Sequence, residues 1–172
     1  MTFYFAVIFC CGGIMSILTP INGISALTKL FSAEKTQKII SNLLKKIFGI
    51  CETKKPEDPG CWIISGGRVE IDLKRAGELS RQGGAIKLEG KSLADRILVI
   101  RGENGLFYAY KNKCTHMGRR IDPVPGSSDL RCCSVMGSRF GITGEVLSGP
   151  AKGALKIFEV KIEDNKLNID IS

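Results

Sequence analysis

Histidine is almost absent. The 172 residues contain one, His116, alongside a single tryptophan. That excludes a mononuclear iron site of two histidines and a carboxylate. No glycine-rich phosphate loop, internal repeat or low-complexity stretch occurs. Acidic residues are the minority charge, 17 against 25 Lys and Arg, for a net charge of +8. The positive residues are scattered among acidic ones, without a basic run interleaved with aromatics, so nucleic acid is not an expected partner. Charge is missing altogether from residues 1–28. An even cysteine count is missing too: there are seven, Cys10, Cys11, Cys51, Cys61, Cys114, Cys132 and Cys133. A secreted disulfide framework normally shows an even number at regular spacings, so metal-binding thiols in a reducing compartment are the expectation.

The uncharged residues 1–28 form the first segment. A membrane span needs about 20 apolar residues, and this run reaches that only by continuing through Pro20. No positive residue precedes it, as a secretory signal would normally require. Lys29, Lys35, Lys38, Lys45 and Lys46 follow it, which by the positive-inside rule places the remainder on the cytoplasmic side of a membrane. Export after signal cleavage and a buried or peripheral helix are the alternatives. Residues 32–60 form the second segment, a helix and a linker. Ile39, Ile40, Leu43, Leu44, Ile47 and Phe48 recur at helical spacing, with Ser32 as the expected N-cap and Gly49 as the stop. This helix packs on its own domain or lies on the membrane surface. Residues 53–60, polar with two prolines, read as the linker.

From Cys61 to Ser172 the texture changes to short alternating runs separated by turns, the pattern of an all-β domain. Residues 69–73 alternate. Residues 98–110 read as a hairpin turning at Glu103-Asn104-Gly105, and residues 155–171 as a second hairpin turning at Asp164-Asn165-Lys166. A short helix is expected over residues 76–82.

Two loops carry the chemistry. The first reads Cys114-Thr115-His116-Met117-Gly118. The second reads Cys132-Cys133-Ser134-Val135-Met136-Gly137-Ser138, followed by Thr143-Gly144 and Gly149-Pro150-Ala151. Over residues 68–172 the chain resembles the Rieske iron–sulfur family, whose signature is Cys-x-His, a gap of sixteen or so, and Cys-x-x-His-Gly, then a Gly-Pro-Ala stretch. The resemblance implies an antiparallel β-sandwich with cluster-binding loops. It also implies a 2Fe-2S cluster, in which Cys114, His116 and Cys133 occupy three ligand positions. Two thiolates would hold one iron and two neutral imidazoles the other, which raises the reduction potential above that of an all-thiolate cluster.

The fourth position departs from the family. Met136 stands where the second histidine is expected, and no other histidine exists to replace it. Three outcomes stay open. Met136 ligates through its thioether, Cys132 supplies a third thiolate, or the cluster has been lost and the domain binds a partner instead. Further features follow from the resemblance. Ser138 matches a serine that hydrogen-bonds a bridging sulfide, and Gly149 and Pro150 belong to the segment that covers the cluster. Arg119 and Val135 stand where the respiratory subfamily has an extra cysteine pair, and Phe140 replaces a tyrosine. Arg119, Arg120, Arg131 and Arg139 are candidates for offsetting cluster charge or docking an acidic redox partner. The expected function is one-electron transfer by a membrane-anchored protein or redox subunit rather than a stand-alone enzyme. The alternative is a cluster-free binding or structural module.

Overall fold

The computed structural model describes residues 23–90 and 93–172. Residues 1–22 of the expected anchor, its densest part included, lie outside the described residues. Among the described residues, no helix is long and apolar enough to cross a membrane. The chain divides into two compact units, Met1–Ile40 and Ser41–Ser172.

The one α-helix among the described residues, α1 (Gly23–Phe48), is already formed nine residues before the expected Ser32 cap, so Ser32 lies inside it. The sequence from Gly23 to Phe31 has no proline and offers Ala26, Leu27 and Leu30, good helix formers that let it extend upstream. Its end is as expected. Gly49 adopts φ 65°, and the Ile50 N–H reaches back to the Lys45 carbonyl at 2.8 Å. This six-to-one bond is the Schellman closure, which only a left-handed residue permits cheaply. Leu43, Leu44, Ile47 and Phe48 stay exposed, so the apolar stripe is not buried in the unit that contains them.

Among the described residues, twelve strands form three antiparallel sheets. The first has the order β1-β2-β12-β11, from β1 (Trp62–Ser65), β2 (Arg68–Asp72), β11 (Val160–Glu163) and β12 (Lys166–Asp170). The second runs β10-β5-β4-β3, from β3 (Ala85–Leu88), β4 (Ile97–Arg101), β5 (Phe107–Lys111) and β10 (Ile157–Phe158). The third runs β6-β7-β8-β9, from β6 (Ile121–Pro123), β7 (Leu130–Cys132), β8 (Arg139–Phe140) and β9 (Val146–Ser148).

The hairpin at Glu103-Asn104-Gly105 forms as expected, with β4 paired to β5 in register Val99↔Ala109. The Asp164-Asn165 turn also forms, both residues at positive φ, as a two-residue hairpin turn requires. The strand before it, however, is not one piece. Ile157–Phe158 pairs with β5 in the second sheet, and Val160–Glu163 pairs with β12 in the first. The run changes sheets at Glu159, so residues 155–163 clamp two sheets rather than extend one hairpin. The expected short helix is a 3-10 turn, Gly77–Ser80.

Strand alternation divides the interior in two. Val69, Ile71, Leu167 and Ile169 of the first sheet pack against Ile86, Leu88, Ile97, Val99 and Phe158 of the second. The other face of the second sheet offers Leu98, Ile100 and Tyr110 to Ile121, Leu130, Cys132 and Phe140 of the third. Successive residues of β4 therefore serve opposite cores, which explains its unbroken apolar run. Residues 53–60 lack regular structure but are tied down. The Lys87 N–H bonds to the Lys54 carbonyl at 2.9 Å, and the Glu57 N–H to Glu78 Oε1 at 2.6 Å.

Candidate metal centre

Three loops make up the site: one joins β5 to β6, one joins β7 to β8 and one joins β9 to β10. Residues 112–120 form the first. Buried Asn112 shapes its base by accepting the Ile121 N–H at 2.8 Å. The Cys114 N–H bonds to the Arg119 carbonyl and the Gly118 N–H returns to the Cys114 carbonyl, at 2.7 and 2.9 Å. Cys114 is thereby held inside, 1% exposed. The second loop follows β7. The Cys132 N–H bonds to the Ser138 carbonyl at 2.8 Å, and the Cys133 N–H to the Arg120 carbonyl at 2.9 Å. A side chain on Gly137 would place its Cβ 2.8 Å from the Cys132 carbonyl oxygen, so the turn needs glycine there. The third loop carries Gly149-Pro150. The Thr115 hydroxyl joins it to the first loop by donating to the Gly153 carbonyl at 2.6 Å. Gly149, at φ 89°, lies so close to Ser138 that a Cβ would meet its Cα at 2.7 Å.

The sulfur atoms divide by strand alternation. Cys132 follows Leu130 and Arg131 on β7, so its side chain points inward with Leu130. Its thiol lies 3.3 Å from the Ser134 hydroxyl, a hydrogen bond, and packs with Cys114 in the same core cluster. Burial pushes the Cys132 thiol up to about 11; the Ser134 hydrogen bond and the charge of Arg119 pull the other way, and Cys114 adds to the rise. Cys133, one residue on, turns to the opposite side and is disulfide-bonded to Cys51, with Cα atoms 5.5 Å apart. Cys51, Cys133 and the buried Asp122 carboxylate lie within 4.8 Å of one another. Asp122 is held by the N–H groups of Glu52, at 2.5 Å, and Thr53, at 3.2 Å.

Cys51 is the residue that sequence reasoning missed. All seven cysteines were expected as thiols, and one of the adjacent pair instead bridges back across 82 positions. The odd count and the position of Cys51 just before the β-domain were the available signals, but neither names a partner. Met136 is 70% exposed. Ser138 is 1% exposed, and its Oγ has no hydrogen-bond partner among the described residues. Three of the four expected arginines are ion-paired: Arg120 with Glu89 at 2.7 Å, Arg139 with Asp129 at 2.8 Å, and Arg131 more loosely with Glu52 at 3.8 Å. The Tyr110 hydroxyl donates to the Ile142 carbonyl at 2.6 Å, and burial keeps the phenol protonated.

A small antiparallel β-domain whose paired loops offer Cys-x-His and a second cysteine, covered by a glycine–proline loop, defines a class of metal-binding module. The Rieske [2Fe-2S] domain model matches residues 71–159, and the chain belongs to that family. It is 31% identical over 78 residues to the cytochrome b6-f complex iron-sulfur subunit of Chlorobaculum tepidum, covering 45% of this chain and 42% of that protein. It is 35% identical over 89 residues to the naphthalene 1,2-dioxygenase system ferredoxin component of Pseudomonas putida, covering 51% of this chain and 80% of that protein. The chain thus spans less than half the length of the cytochrome-complex subunit it matches. Among solved structures, a cyanobacterial plasma membrane Rieske protein from Synechocystis PCC 6803 superposes with a TM-score of 0.43 at 25% identity, over 50% of this chain and 85% of that one.

The family implies a 2Fe-2S cluster, and the donors can be tested against it. With the disulfide closed they do not fit: Cys133 offers no thiolate, and Cys114, Cys132 and His116 leave one position empty. With the disulfide open, Cys133 regains a thiol, on the side of β7 away from Cys114 and Cys132, so it has to turn inward to join them. The buried Ser138 hydroxyl without an acceptor suits an adjoining sulfide, since such a group otherwise costs about 1–3 kcal/mol.

Proposed function

We propose that this chain is a one-electron-transfer protein of the Rieske class, acting with a redox partner protein rather than as a stand-alone enzyme. The observation that carries this reading is the Ser138 hydroxyl, buried without a partner where the second loop meets the Gly149-Pro150 loop. Cys114, Cys133 and His116 would hold the cluster, and Cys132, buried beside Cys114, suits the fourth place better than the exposed Met136. The bound group would accept and release one electron. A third thiolate adds negative charge and lowers its potential relative to a two-histidine centre. Ser138 would donate a hydrogen bond to sulfide, and Gly149 and Pro150 would limit water.

Iron and labile sulfide, measured on full-length protein purified without air, test the reading. About two of each per chain are expected, and Cys114→Ser or Cys133→Ser should abolish both. Met136→Leu should be silent, whereas Cys132→Ala should remove the cluster. Iron fully retained in the Cys114 or Cys133 variant would refute this use of the loops.

A second reading is favoured by the Cys51–Cys133 bridge: a cluster-free module that binds a partner. Absence of iron in reduced, anaerobic protein would establish it.

Attachment to a membrane through residues 1–28 belongs to the same proposal. The lysines after that run favour a cytoplasmic β-domain, while a disulfide favours export to an oxidising compartment. Full-length protein should sediment with membranes, and a chain starting at Pro56 should not. A mature N-terminus after about residue 25 would support signal cleavage instead.

A further inference from the structure

The two halves of the Cys51–Cys133 bridge are anchored independently of it. On one side, Asp122 fixes the backbone of Glu52 and Thr53. On the other, the Arg120 carbonyl accepts the Cys133 N–H. Breaking the S–S bond therefore frees two sulfurs without releasing either segment. A structural staple inside a core would behave differently, because reaching it requires unfolding. Here the bridge lies at the surface side of the third sheet. Cys51 is partly exposed, and Cys133 lines an open cleft of about 430 Å³ with Lys45, Glu52, Arg131 and Arg139. The remaining pair of contacting thiols, Cys114 and Cys132, is buried on the opposite side of β7.

We propose that Cys51–Cys133 is a redox couple opened by a small thiol, which switches Cys133 between disulfide partner and free thiolate. The iron consequence of that switch rests on the electron-transfer reading above; the couple itself does not. The chemistry is thiol–disulfide exchange. A thiolate of the reductant attacks the sulfur of Cys51, the more exposed residue of the two. The Cys51–Cys133 bond breaks, a mixed disulfide forms on Cys51, and the electron pair leaves on Cys133. A second thiolate attacks the reductant sulfur of the mixed disulfide, releasing Cys51 as a thiolate and the reductant as its disulfide. Two electrons pass from two thiols to the bridge, and the two thiolates take up protons according to pH. Cys133 is then the donor that the closed form lacks.

The test uses the full chain. Peptide mapping of air-purified protein without reductant should find Cys51 linked to Cys133. Folded protein is then equilibrated in graded reduced and oxidised glutathione and trapped by alkylation. Cys51 and Cys133 should become labelled together, with one two-electron midpoint, in the absence of denaturant. Absence of the linkage, or opening only after denaturation, overturns the proposal. These measurements need no variant. Iron is assayed separately. Cys51→Ala, which leaves Cys133 permanently unbridged, should hold several-fold more iron and sulfide than the air-purified parent after anaerobic production. If the couple titrates as stated and neither reduced parent nor Cys51→Ala holds iron, the electron-transfer reading fails and the couple stands. If iron is held but the linkage is never found, the couple fails and electron transfer stands.

Discussion

The two cores of the β-domain are held by different physics. The first, between the Val69–Ile71 and Leu167–Ile169 strands and the second sheet, is larger and apolar apart from the Cys61 thiol and the Trp62 indole nitrogen, with Val69, Ile71, Leu167 and Ile169 fully buried. Each such side chain contributes about 1.5–3 kcal/mol by leaving water. The second core is smaller. It includes two thiols, lies beneath a buried hydroxyl without an acceptor, and has a covalent bridge on its far side. One side is stabilised by area, the other by a single cross-link and hydrogen-bonded loop backbones. A region that must present donors to a guest cannot fill itself with hydrocarbon, so it needs other ways to stay folded.

The comparison can be broken most strongly at the bridge. Removing it with Cys51→Ala, or reducing it in the parent, should lower unfolding stability by up to about 4.5 kcal/mol, the chain-entropy expectation for a loop of this length. Urea unfolding with and without dithiothreitol measures it, and the Cys51→Ala protein should no longer respond to the reductant. Truncation in the first core, Ile71→Ala, should cost about 3 kcal/mol by lost burial and the cavity left behind. That loss should be the same with the bridge open or closed, which tests whether the two regions are independent. A smaller effect of opposite sign belongs to Ser138→Ala. In iron-free protein, deleting a buried hydroxyl without a partner should stabilise by about 1 kcal/mol. In iron-loaded protein the same change should lower the midpoint potential by removing a hydrogen bond to sulfur.

The smallest effect concerns pH. The Arg120 guanidinium holds the Glu89 carboxyl below its ordinary value of 4.5, with burial opposing. The folded value is depressed, so this pair contributes stability above about pH 4.5 and loses it as pH falls through the folded value. Glu89→Gln should cost about 0.5–1 kcal/mol at neutral pH, and the difference from the parent should shrink as the solution is acidified.

The sequence by itself determined most of the β-domain. The alternation over residues 69–73 marks a strand, which forms one residue earlier as Arg68–Asp72; Gly105 and Asp164-Asn165 turn where their backbone preferences demand; Gly49 ends the helix. These are local effects, set by the conformations each residue tolerates and by the period of burial. The family was also legible, because Cys114-x-His116 and the Gly149-Pro150 stretch are short-range patterns. What only the tertiary structure decided was long-range or degenerate. Residues 155–163 look like one strand but divide between two sheets at Glu159, since alternation alone does not say which neighbour a strand finds. Cys132 and Cys133 are adjacent and chemically identical in sequence. Only the fold sends one, at the end of β7, into the core with Cys114 and the other, at the bend that follows, to Cys51. That partner lies 82 positions away, beyond the reach of any spacing rule, because folding rather than chain order brought the two sulfurs together.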